Sequence, residues 1–524
     1  MTNSVLIHPA DQYLFDAAAG REIDRQAMAQ LQVPGFELMR RAAQSAFAAL
    51  LRLYPNVSAI NVWCGKGNNA GDAYLLAKHA HQYGIETCVV AIVDPLELTG
   101  DAALACDEAR DAGVTLVRSL PEQDHQSQTQ VVQVDGLLGT GLNRPPSDVF
   151  QQAIGKINGQ GTPILSIDVP SGVDASTGAV ATQAVKASLT VSFITRKVGL
   201  YTGPGVSYAG QREFSNLGVP AQAYRQPGVR WLHWDPQHLL PLDENTYKHR
   251  RGHVVVAGGD DAMPGAVALA ALSALRVGAG MVTVLTKAQH AAPIVARVPE
   301  AMVQAFRLPG EPGDAAAVEA NEHLARADLV VLGPGLGRGA WSEALYLAVE
   351  ASRRPTVLDA DGLYWLAQRR SWRGGDLTIT PHVAEAARLL AVSAQEVQHD
   401  RLSAGAAISA EYSCRGVLKG AGSVIFDTPD SVSSVCAHGN PGMASAGMGD
   451  VLSGIVGGLL AELEASGAGA HGPLRGRCLA DAVALHSAAG DAVALQLGAR
   501  FMLASDVIEA LRPLMGATSA SSED

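Results

Sequence analysis

The chain alternates short β-like runs with helix-like runs along most of its length, and most of the β-like runs lead into a loop rich in glycine, asparagine or aspartate. The predicted strands are 59–64, 86–93, 130–134, 163–167, 254–257, 281–285, 329–332, 356–358 and 377–380. Strands separated by helices are typical of parallel βαβ units. Because ligands bind at the carboxyl ends of the strands in such sheets, the pattern predicts an α/β protein with functional loops at those ends.

The alternation stops between residues 218 and 243 and then resumes. This stretch contains Pro220, Pro227, Pro236 and Pro241, and prolines at this density favour an extended connection. We expect a linker at 226–243 between an N-terminal domain at 1–225 and a C-terminal domain at 244–516. The small polar residues at 517–524 predict a disordered tail. With 524 residues, each domain is large enough to bury its own core.

The composition excludes several classes of protein. A formal net charge of −12 without any basic stripe argues against nucleic acid as a partner, because binding to phosphates depends on clustered lysine and arginine. The six cysteines are scattered without a CxxC pair, so neither a zinc site nor a disulfide framework is expected. The chain does not open with a signal-peptide pattern, and the apolar run 451–460 is too short to span a bilayer. We therefore expect a cytoplasmic protein with no membrane partner.

The most informative C-terminal segment reads Gly447-Met448-Gly449-Asp450 and precedes an apolar, glycine-spaced helix over 451–460. Glycine amides at a helix start can bind a phosphate. An aspartate in the first turn could then take a proton from a hydroxyl nucleophile beside that phosphate. The alternative is a purely structural helix start with Asp450 as its N-cap.

Two further loops follow strand-like runs of the same domain. One is Lys419–Ser423, which offers glycine amides, a hydroxyl and an ammonium group. The other contains His382, followed by Glu385. A lone histidine is often only structural, but a position at a strand end beside two glycine loops favours contact with a ligand.

These motifs resemble the NAD(P)H-hydrate dehydratase family, a branch of the ribokinase-like fold. The resemblance covers most of residues 245–512 and rests on GAVALAALSALRVGAG (265–280), GPGLG (333–337), DADGL (359–363), TPHVAEAARLL (380–390), KGAGS (419–423) and NPGMASAGMGDVLSGIVGGLLA from Asn440. It implies ADP-dependent dehydration of (6S)-NADHX or (6S)-NADPHX to the intact dinucleotide, with AMP and phosphate as products and Mg²⁺ accompanying ADP.

The family's binding residues carry over motif by motif. The resemblance implies that the hydrate contacts Ala266, Gly335, His382 and Asp450. It implies that the nucleotide contacts Lys419, Gly420, Ala421, Gly422, Ser423 and Gly449. Our hypothesis is that Asp450 activates the hydrate's hydroxyl as a general base, so that phosphorylation turns a poor leaving group into phosphate.

Three N-terminal loops also follow predicted strands. They run over 65–72, 135–145 and 168–174 and are rich in amides, acids and hydroxyls. At the ends of parallel strands they would converge on one crevice. For the first loop, an ordinary turn with a helix N-cap is the alternative, since that also selects glycine, asparagine and aspartate.

Together, these loops resemble the NAD(P)H-hydrate epimerase family over residues 12–217, which implies a Rossmann-like α/β/α domain that interconverts the R and S hydrates. The resemblance implies that the hydrate is bound by Asn68, Asn69, Ala70, Gly71, Asp72, Gly139, Thr140, Gly141, Leu142, Asn143, Arg144, Pro145 and Asp168. It assigns a potassium ion to Asn69, Asp135 and Ser171, and such oxygen ligands suit a hard cation. Asp168 is our candidate acid/base.

The chain departs from the epimerase pattern at three positions. Ala70 and Ala73 replace glycines of the usual NNGGDG motif, and their methyl groups could crowd the bound phosphates or could be harmless. Arg40 stands where an acid commonly follows the methionine of the early helix. These changes leave full epimerase activity open.

The leading interpretation is a bifunctional repair enzyme acting on the small molecules NADHX or NADPHX and ADP, and assembled as a homo-oligomer of four or more subunits. A second possibility is a ribokinase-like small-molecule kinase, although the attached epimerase-like domain argues against it. A third makes the N-terminal domain a non-catalytic binding module, since fold alone does not determine function.

Overall fold

The computed structural model describes residues 8–120, 130–142, 144–242, 244–261, 263–308, 322–427, 433–467 and 472–516. Of the predictions above, Asn143 and the tail at 517–524 lie outside these residues. The chain divides into two compact units, with the first ending at Trp231 and the second beginning at Leu232. Each is described on its own below.

The first unit is built on a parallel sheet. The strands of this sheet are β2 (Ala59–Cys64), β3 (Glu86–Ala91), β4 (Thr115–Val117), β5 (Val131–Gly136), β6 (Ile164–Ile167), β7 (Leu189–Phe193) and β8 (Gln211–Ser215). Two short strands, β1 (Tyr13–Leu14) and β9 (Val229–Leu232), pair with each other outside it, and β9 crosses the division after Trp231. The sheet order in the described residues is β4-β3-β2-β5-β6-β7-β8, and every neighbouring pair is parallel. The strand order reverses between β2 and β5, so the loops after these strands flank a crevice at the carboxyl edge.

Helices cover both faces of this sheet. They are α1 (Pro9–Gln12), α2 (Ala17–Leu31), α3 (Gly35–Leu53), α4 (Asn68–Tyr83), α5 (Gly100–Asp111), α6 (Asp148–Asn158) and α7 (Gly205–Ala209). Side chains alternate across a strand. Ile60 and Val62 of β2 accordingly enter one core cluster with α3, α4 and α5, whereas Trp63 enters another with α6. The predicted three-layer α/β/α architecture follows from this division.

The second unit has a larger, mixed sheet. Its strands are β10 (His253–Ala257), β11 (Met281–Thr286), β12 (Met302–Ala305), β13 (Leu329–Leu332), β14 (Thr356–Leu358), β15 (Leu377–Ile379), β16 (Arg415–Leu418), β17 (Val424–Phe426) and β18 (Ser434–Cys436). Within this unit the order is β18-β17-β16-β15-β14-β13-β10-β11-β12. The pairs from β12 to β16 are parallel, and β17 and β18 are added antiparallel. The ends of β13 to β16 therefore bring four loops to one edge.

The helices of this unit are α8 (Pro264–Arg276), α9 (Ala291–Arg297), α10 (Ala340–Ser352), α11 (Asp361–Arg369), α12 (Val383–Leu390), α13 (Ala394–His399), α14 (Arg401–Tyr412), α15 (Met448–Ala465), α16 (Gly472–Leu497) and α17 (Ala504–Gly516). By length and composition alone α16 could cross a membrane, but 67% of its apolar window is buried inside the protein. It packs against α15 and α17 as a core helix.

The glycine spacing of α15 has a packing cause. A Cβ atom on Gly454 would lie 2.1 Å from Ser273 Oγ and 2.2 Å from the Ala270 carbonyl oxygen, both on α8. On the sheet side, a Cβ atom on Gly457 would lie 2.4 Å from Val331 of β13. The close approach to α8 and to the sheet places the amino end of α15 beside the loops that follow the strands.

The structure confirms two α/β units but shifts some boundaries. Before β2 the described chain is mainly helical apart from the two-residue strand β1, and α2 and α3 are separated by residues 32–34. The predicted linker contains β9, whose Val229 and Arg230 pair antiparallel with Leu14 and Tyr13. Local sequence did not reveal this strand because its partner lies more than 200 residues earlier.

Candidate active sites

The C-terminal site is centred on Lys419, directly after β16. Its Nζ lies 2.8 Å from Asp359 Oδ1, after β14, and 4.0 Å from Glu385 Oε2 on α12. A Cβ atom on Gly449 would lie 3.3 Å from the same Nζ. Only glycine therefore lets the first turn of α15 approach the ammonium group so closely. The arrangement joins a cation, backbone amides and a helix amino terminus, which together suit a phosphate.

Asp450 is the third residue of α15. The helix N-cap is Gly447, in the left-handed region at φ 88°, and it makes no side-chain capping hydrogen bond. The alternative in which Asp450 serves as the N-cap is therefore wrong. Burial, together with the neighbouring Asp359 carboxylate, raises the pKa of Asp450 to about 7, although Lys419 opposes that rise. A carboxyl group with this pKa can exchange a proton near neutral pH.

His382 caps the amino end of α12, and its side chain is also accessible to a ligand. Its Nδ1 accepts hydrogen bonds from the backbone N–H groups of Ala384 and Glu385, and the Glu385 carboxylate accepts from the His382 N–H at 2.8 Å, which completes a capping box for α12. With Nδ1 acting as an acceptor, a neutral ring carries its proton on Nε2, which lies 3.4 Å from Glu385 Oε1. The side chain is 54% exposed. Burial of part of the ring and the Lys419 charge lower its pKa, which favours this neutral form.

Ala266 and Gly335 form the other part of the predicted hydrate site. A Cβ atom on Gly335 would lie 3.2 Å from the Ala266 methyl group, so the two positions are adjacent. Gly335 has φ 55°, in the left-handed region that favours glycine. Its loop reaches the Asp359 loop through Gly333, where a Cβ atom would lie 1.8 Å from the Asp359 carbonyl oxygen. The loops predicted to bind the hydrate and the nucleotide thus share one edge of the sheet.

The predicted nucleotide loop is open to solvent in its middle. Gly420 and Ala421 are exposed, while the Ser423 hydroxyl donates to the Gly420 carbonyl at 3.1 Å and closes the turn. Behind the loop, the buried Arg401 guanidinium donates to the Leu418 carbonyl at 2.9 Å. The loop is therefore held at its ends and exposed at its centre.

Three residues of this site received no role from the sequence. Asp359 is 1% exposed and pairs with Lys419. Burial raises the pKa of Glu385 to about 7. His486 of α16 is buried, and its Nε2 has no hydrogen-bond partner among the described residues. The positions of Asp359 and Glu385 after strands were a usable signal, whereas nothing local marks a histidine within a long apolar helix.

The N-terminal unit contains a cavity of about 710 Å³, a size suited to a small ligand. Most of the predicted hydrate-binding residues line it: Asn68, Asn69, Asp72, Gly139, Thr140, Gly141, Leu142, Arg144, Pro145 and Asp168. Ala70 and Gly71 are buried and do not line it. A Cβ atom on Gly71 would lie 2.5 Å from Met39 Sδ, so this glycine allows α3 and α4 to pack closely.

The three predicted potassium ligands lie together beside this cavity. The Ser171 hydroxyl donates to Asp135 Oδ1 at 2.6 Å, and its backbone N–H donates to Oδ2 at 2.8 Å. The Asn69 side-chain amide donates to the Leu138 carbonyl at 3.0 Å, and the Leu138 N–H donates to the Ser171 hydroxyl at 2.9 Å. Burial raises the pKa of Asp135, although its hydrogen bonds oppose that rise.

Asp168 follows β6 with φ 65°, in the left-handed region, which is unusual for a residue with a side chain. It forms an ion pair with Lys197, whose side chain is only 6% exposed. Lys197 and Asp24 also line the cavity, and the sequence analysis assigned neither of them a role. Lys197 follows β7, a strand that the sequence analysis did not predict, so its position at the carboxyl edge of the sheet was not anticipated.

The departures from the epimerase pattern are accommodated within the packing. Ala70 and Ala73 are fully buried in the apolar core, with their methyl groups away from the cavity lining. Gly136 leaves room for Ala73, since a Cβ atom there would lie 2.3 Å from the Ala73 methyl group. Arg40 pairs with Glu108 of α5 and stacks over Phe36. None of the three substitutions blocks the cavity.

Comparisons with known proteins agree with both halves of this description. A family model described as NAD(P)H-hydrate dehydratase matches residues 254–513, and one described as YjeF-related protein N-terminus matches residues 35–199. A solved structure titled ADP/ATP-dependent NAD(P)H-hydrate dehydratase from Bacillus subtilis, co-crystallized with ATP/Mg²⁺, is 26% identical, with a TM-score of 0.45 over 54% of this chain and 98% of that one.

Full-length relatives were also found. The bifunctional NAD(P)H-hydrate repair enzyme Nnr of Coxiella burnetii is 39% identical over 94% of this chain and 98% of that protein. The enzyme of the same name from Escherichia coli K12 is 37% identical over 94% and 92%, respectively. With this identity across both units, the chain belongs to the family of bifunctional NAD(P)H-hydrate repair enzymes.

Proposed function

We propose that this protein restores NADH and NADPH from their hydrates in two steps: epimerisation of (6R)- and (6S)-NAD(P)HX, and ADP-dependent dehydration of the (6S) form to NAD(P)H, AMP and phosphate. The proposed epimerase domain is 1–225, and the proposed dehydratase domain is 244–516. The observation that carries the proposal is a proton-exchanging carboxyl group, Asp450, in the first turn of a helix whose adjacent Gly449 meets Lys419.

The dehydratase chemistry follows from that geometry. Asp450 takes the proton of the hydrate's hydroxyl group as its oxygen bonds to the β-phosphorus of ADP and the bond to AMP breaks. The backbone amides near Gly449 and the Lys419 ammonium stabilise the phosphoryl group during transfer. The carbon–oxygen bond then breaks with phosphate as the leaving group, and loss of a proton from the adjacent carbon restores the ring double bond.

Ligand positions follow the same geometry. ADP would contact Lys419, Gly420, Ala421, Gly422, Ser423 and Gly449. The hydrate would contact Ala266, Gly335, His382 and Asp450. Mg²⁺ usually combines one or two carboxylates with phosphates and water, and Asp359 and Glu385 are the carboxylates beside Lys419. They would hold the ion, which supplies charge neutralisation for the nucleotide.

In the epimerase domain we propose Asp168 as an acid/base and Asn69, Asp135 and Ser171 as the potassium site. The donor set fits the ion. Potassium prefers oxygen ligands, and the cluster offers the Asp135 carboxylate, the Ser171 hydroxyl and the Leu138 carbonyl. The Asn69 amide, whose Nδ2 donates to the Leu138 carbonyl, would supply its Oδ1. Asp135 is fully buried and forms no ion pair within the described ranges, so a monovalent cation would neutralise it.

One assay tests both activities. Purified protein receives mixed (6R)- and (6S)-NADPHX with ADP, then with ATP, and the absorbance of regenerated NADPH is followed. Complete recovery supports both activities, whereas a plateau at the S fraction supports dehydration alone. A stable phosphorylated product would instead favour the small-molecule kinase. Asp450→Asn should abolish recovery while epimerisation continues, and normal turnover by that variant would refute the dehydratase site.

Two further expectations remain proposals. The family relatives are full-length enzymes acting on small molecules, and we propose a cytoplasmic homo-oligomer of four or more subunits. Light scattering of the purified protein would measure the subunit number, and fractionation of the source cells would test the location.

A further inference from the structure

Four charged side chains meet in the N-terminal cavity. Asp24 belongs to α2 and Asp72 to α4, while Asp168 follows β6 and Lys197 follows β7. Three carboxyl groups therefore share a single ammonium group. Like charges at close range disfavour simultaneous ionisation, so these carboxyl groups cannot all behave alike.

Asp168 is the carboxylate that Lys197 holds. The Lys197 ammonium contacts Asp168 Oδ1 and also donates to the Phe193 carbonyl at 2.7 Å. The Phe193 N–H donates to the same Oδ1 at 3.1 Å, and the Ser192 hydroxyl donates to the Asp168 carbonyl at 2.7 Å. These contacts hold Asp168 in its left-handed conformation and fix the position of its carboxyl group.

Asp72 is in the opposite situation. Its carboxyl group forms no hydrogen bond and no ion pair within the described part of the chain, and it lines the cavity. Burial raises the pKa of Asp72 well above its ordinary value, and the nearby Asp168 and Asp24 carboxylates raise it further. Asp72 is therefore displaced towards its protonated form and has no internal partner, whereas Asp168 has a cation beside it. Two carboxyl groups in such different surroundings within one cavity can act as an acid and a base.

We propose that Asp72 is a second catalytic residue of the epimerase, acting as the acid that complements the base Asp168, and that Lys197 is the positioning residue that holds the Asp168 carboxyl group in place. This inference rests on the proposed epimerase function. Asp72 donates its proton to the hydroxyl group on the hydrated ring carbon. The carbon–oxygen bond breaks, water leaves, and the lone pair of the ring nitrogen forms a carbon–nitrogen double bond.

The inversion is completed at Asp168. A water molecule adds to the same carbon from the opposite face and loses a proton to the Asp168 carboxylate, while the electron pair returns to the ring nitrogen. Asp72 is then ionised and Asp168 protonated. Proton exchange with water in the cavity restores the starting state. The product hydroxyl oxygen therefore comes from solvent.

The test uses the full-length protein and pure (6R)-NADPHX without ADP, with chromatography of the S epimer as the readout. Because asparagine has nearly the shape of aspartic acid, Asp72→Asn should leave the unfolding temperature unchanged while lowering kcat about 100-fold or more, the usual contribution of a general acid. Asp111→Asn is the control, since Asp111 is exposed at the end of α5 and does not line the cavity. It should stay within about threefold of wild type.

The positioning role of Lys197 is tested by the pH profile of the reaction as well as by its rate. Lys197→Met should move the low-pH limb of the kcat/KM profile to higher pH, because the carboxylate loses its cationic partner, and Lys197→Arg should restore most of the wild-type profile. In oxygen-18 water, the wild-type product should carry the heavy oxygen. Near-normal epimerisation by Asp72→Asn, an equal loss in Asp111→Asn, or retention of the original oxygen would overturn the inference.

A result that refutes the proposed epimerase function can be distinguished from one that refutes only the acid–base pair. If the wild-type protein does not epimerise the R hydrate at all, the proposed epimerase function falls, and the acid–base pair falls with it. ADP-dependent dehydration of pure (6S)-NADPHX, measured on the same preparations, should be equal in every N-terminal variant.

Discussion

Lowering the pH from about 8 to about 6 should slow ADP-dependent dehydration of (6S)-NADPHX about tenfold. Burial and the Asp359 carboxylate raise the pKa of Asp450 to about 7. A base with that pKa is about nine-tenths ionised at pH 8 and about one-tenth ionised at pH 6. An ordinary aspartate, with a pKa of about 3.9, would remain ionised across this range. Only the ionised form accepts the hydroxyl proton, so activity is present above the pKa and lost as the pH falls through it.

The assay is the initial rate of NADPH formation from pure (6S)-NADPHX at saturating ADP. Asp359→Asn removes a negative neighbour of Asp450 and frees Lys419 from its 2.8 Å partner. Both changes favour the Asp450 carboxylate, so the acid limb should move to lower pH. ADP titrates identically in assays of the wild-type protein and of Asp359→Asn. A shift of the acid limb between the two proteins therefore reports a group of the protein and not ADP.

Glu385 provides the matched control, because burial raises its pKa to about 7 as well. The acid limb should persist in Glu385→Gln if Asp450 is the titrating base. A rate that stays constant down to about pH 5.5, or a limb that disappears in Glu385→Gln, would refute the assignment to Asp450.

Three further predictions concern packing and ligands. Gly454→Ala should lower the free energy of unfolding by about 1–3 kcal/mol in urea denaturation, because its methyl group would meet the α8 backbone, whereas Gly265→Ala, with no atom within 4 Å, should change it by less than about 0.5 kcal/mol. Lys419→Met should raise the KM for ADP about tenfold or more, since a charged contact to phosphate is lost, and an unchanged KM would remove Lys419 from the nucleotide site. Replacing potassium with choline should slow epimerisation, and Asn69→Ala should raise the potassium concentration needed for half-maximal rate; equal rates in both salts would contradict the proposed ion.

The local features of both sites were predictable from the sequence. Residues 59–64 and 329–332 form their predicted strands without change of boundary, because hydrophobic runs and the glycines that end them act within a few residues. The glycine loops were also predictable, since a helix start that binds phosphate needs free amides and small residues. The resemblance to both enzyme families was carried by these same loops.

The electrostatics of the sites depended on tertiary structure. Lys419 and Asp359 are 60 residues apart in sequence, and Lys197 and Asp168 are 29 apart, yet both pairs are in contact. Local patterns describe a residue and its near neighbours, whereas a pKa depends on burial and on charges nearby in space. The sequence by itself therefore determined two α/β units with glycine loops at their strand ends. The fold alone decided which carboxyl groups meet an ammonium group and which, like Asp72 and Asp450, have a pKa raised by burial and by neighbouring carboxylates.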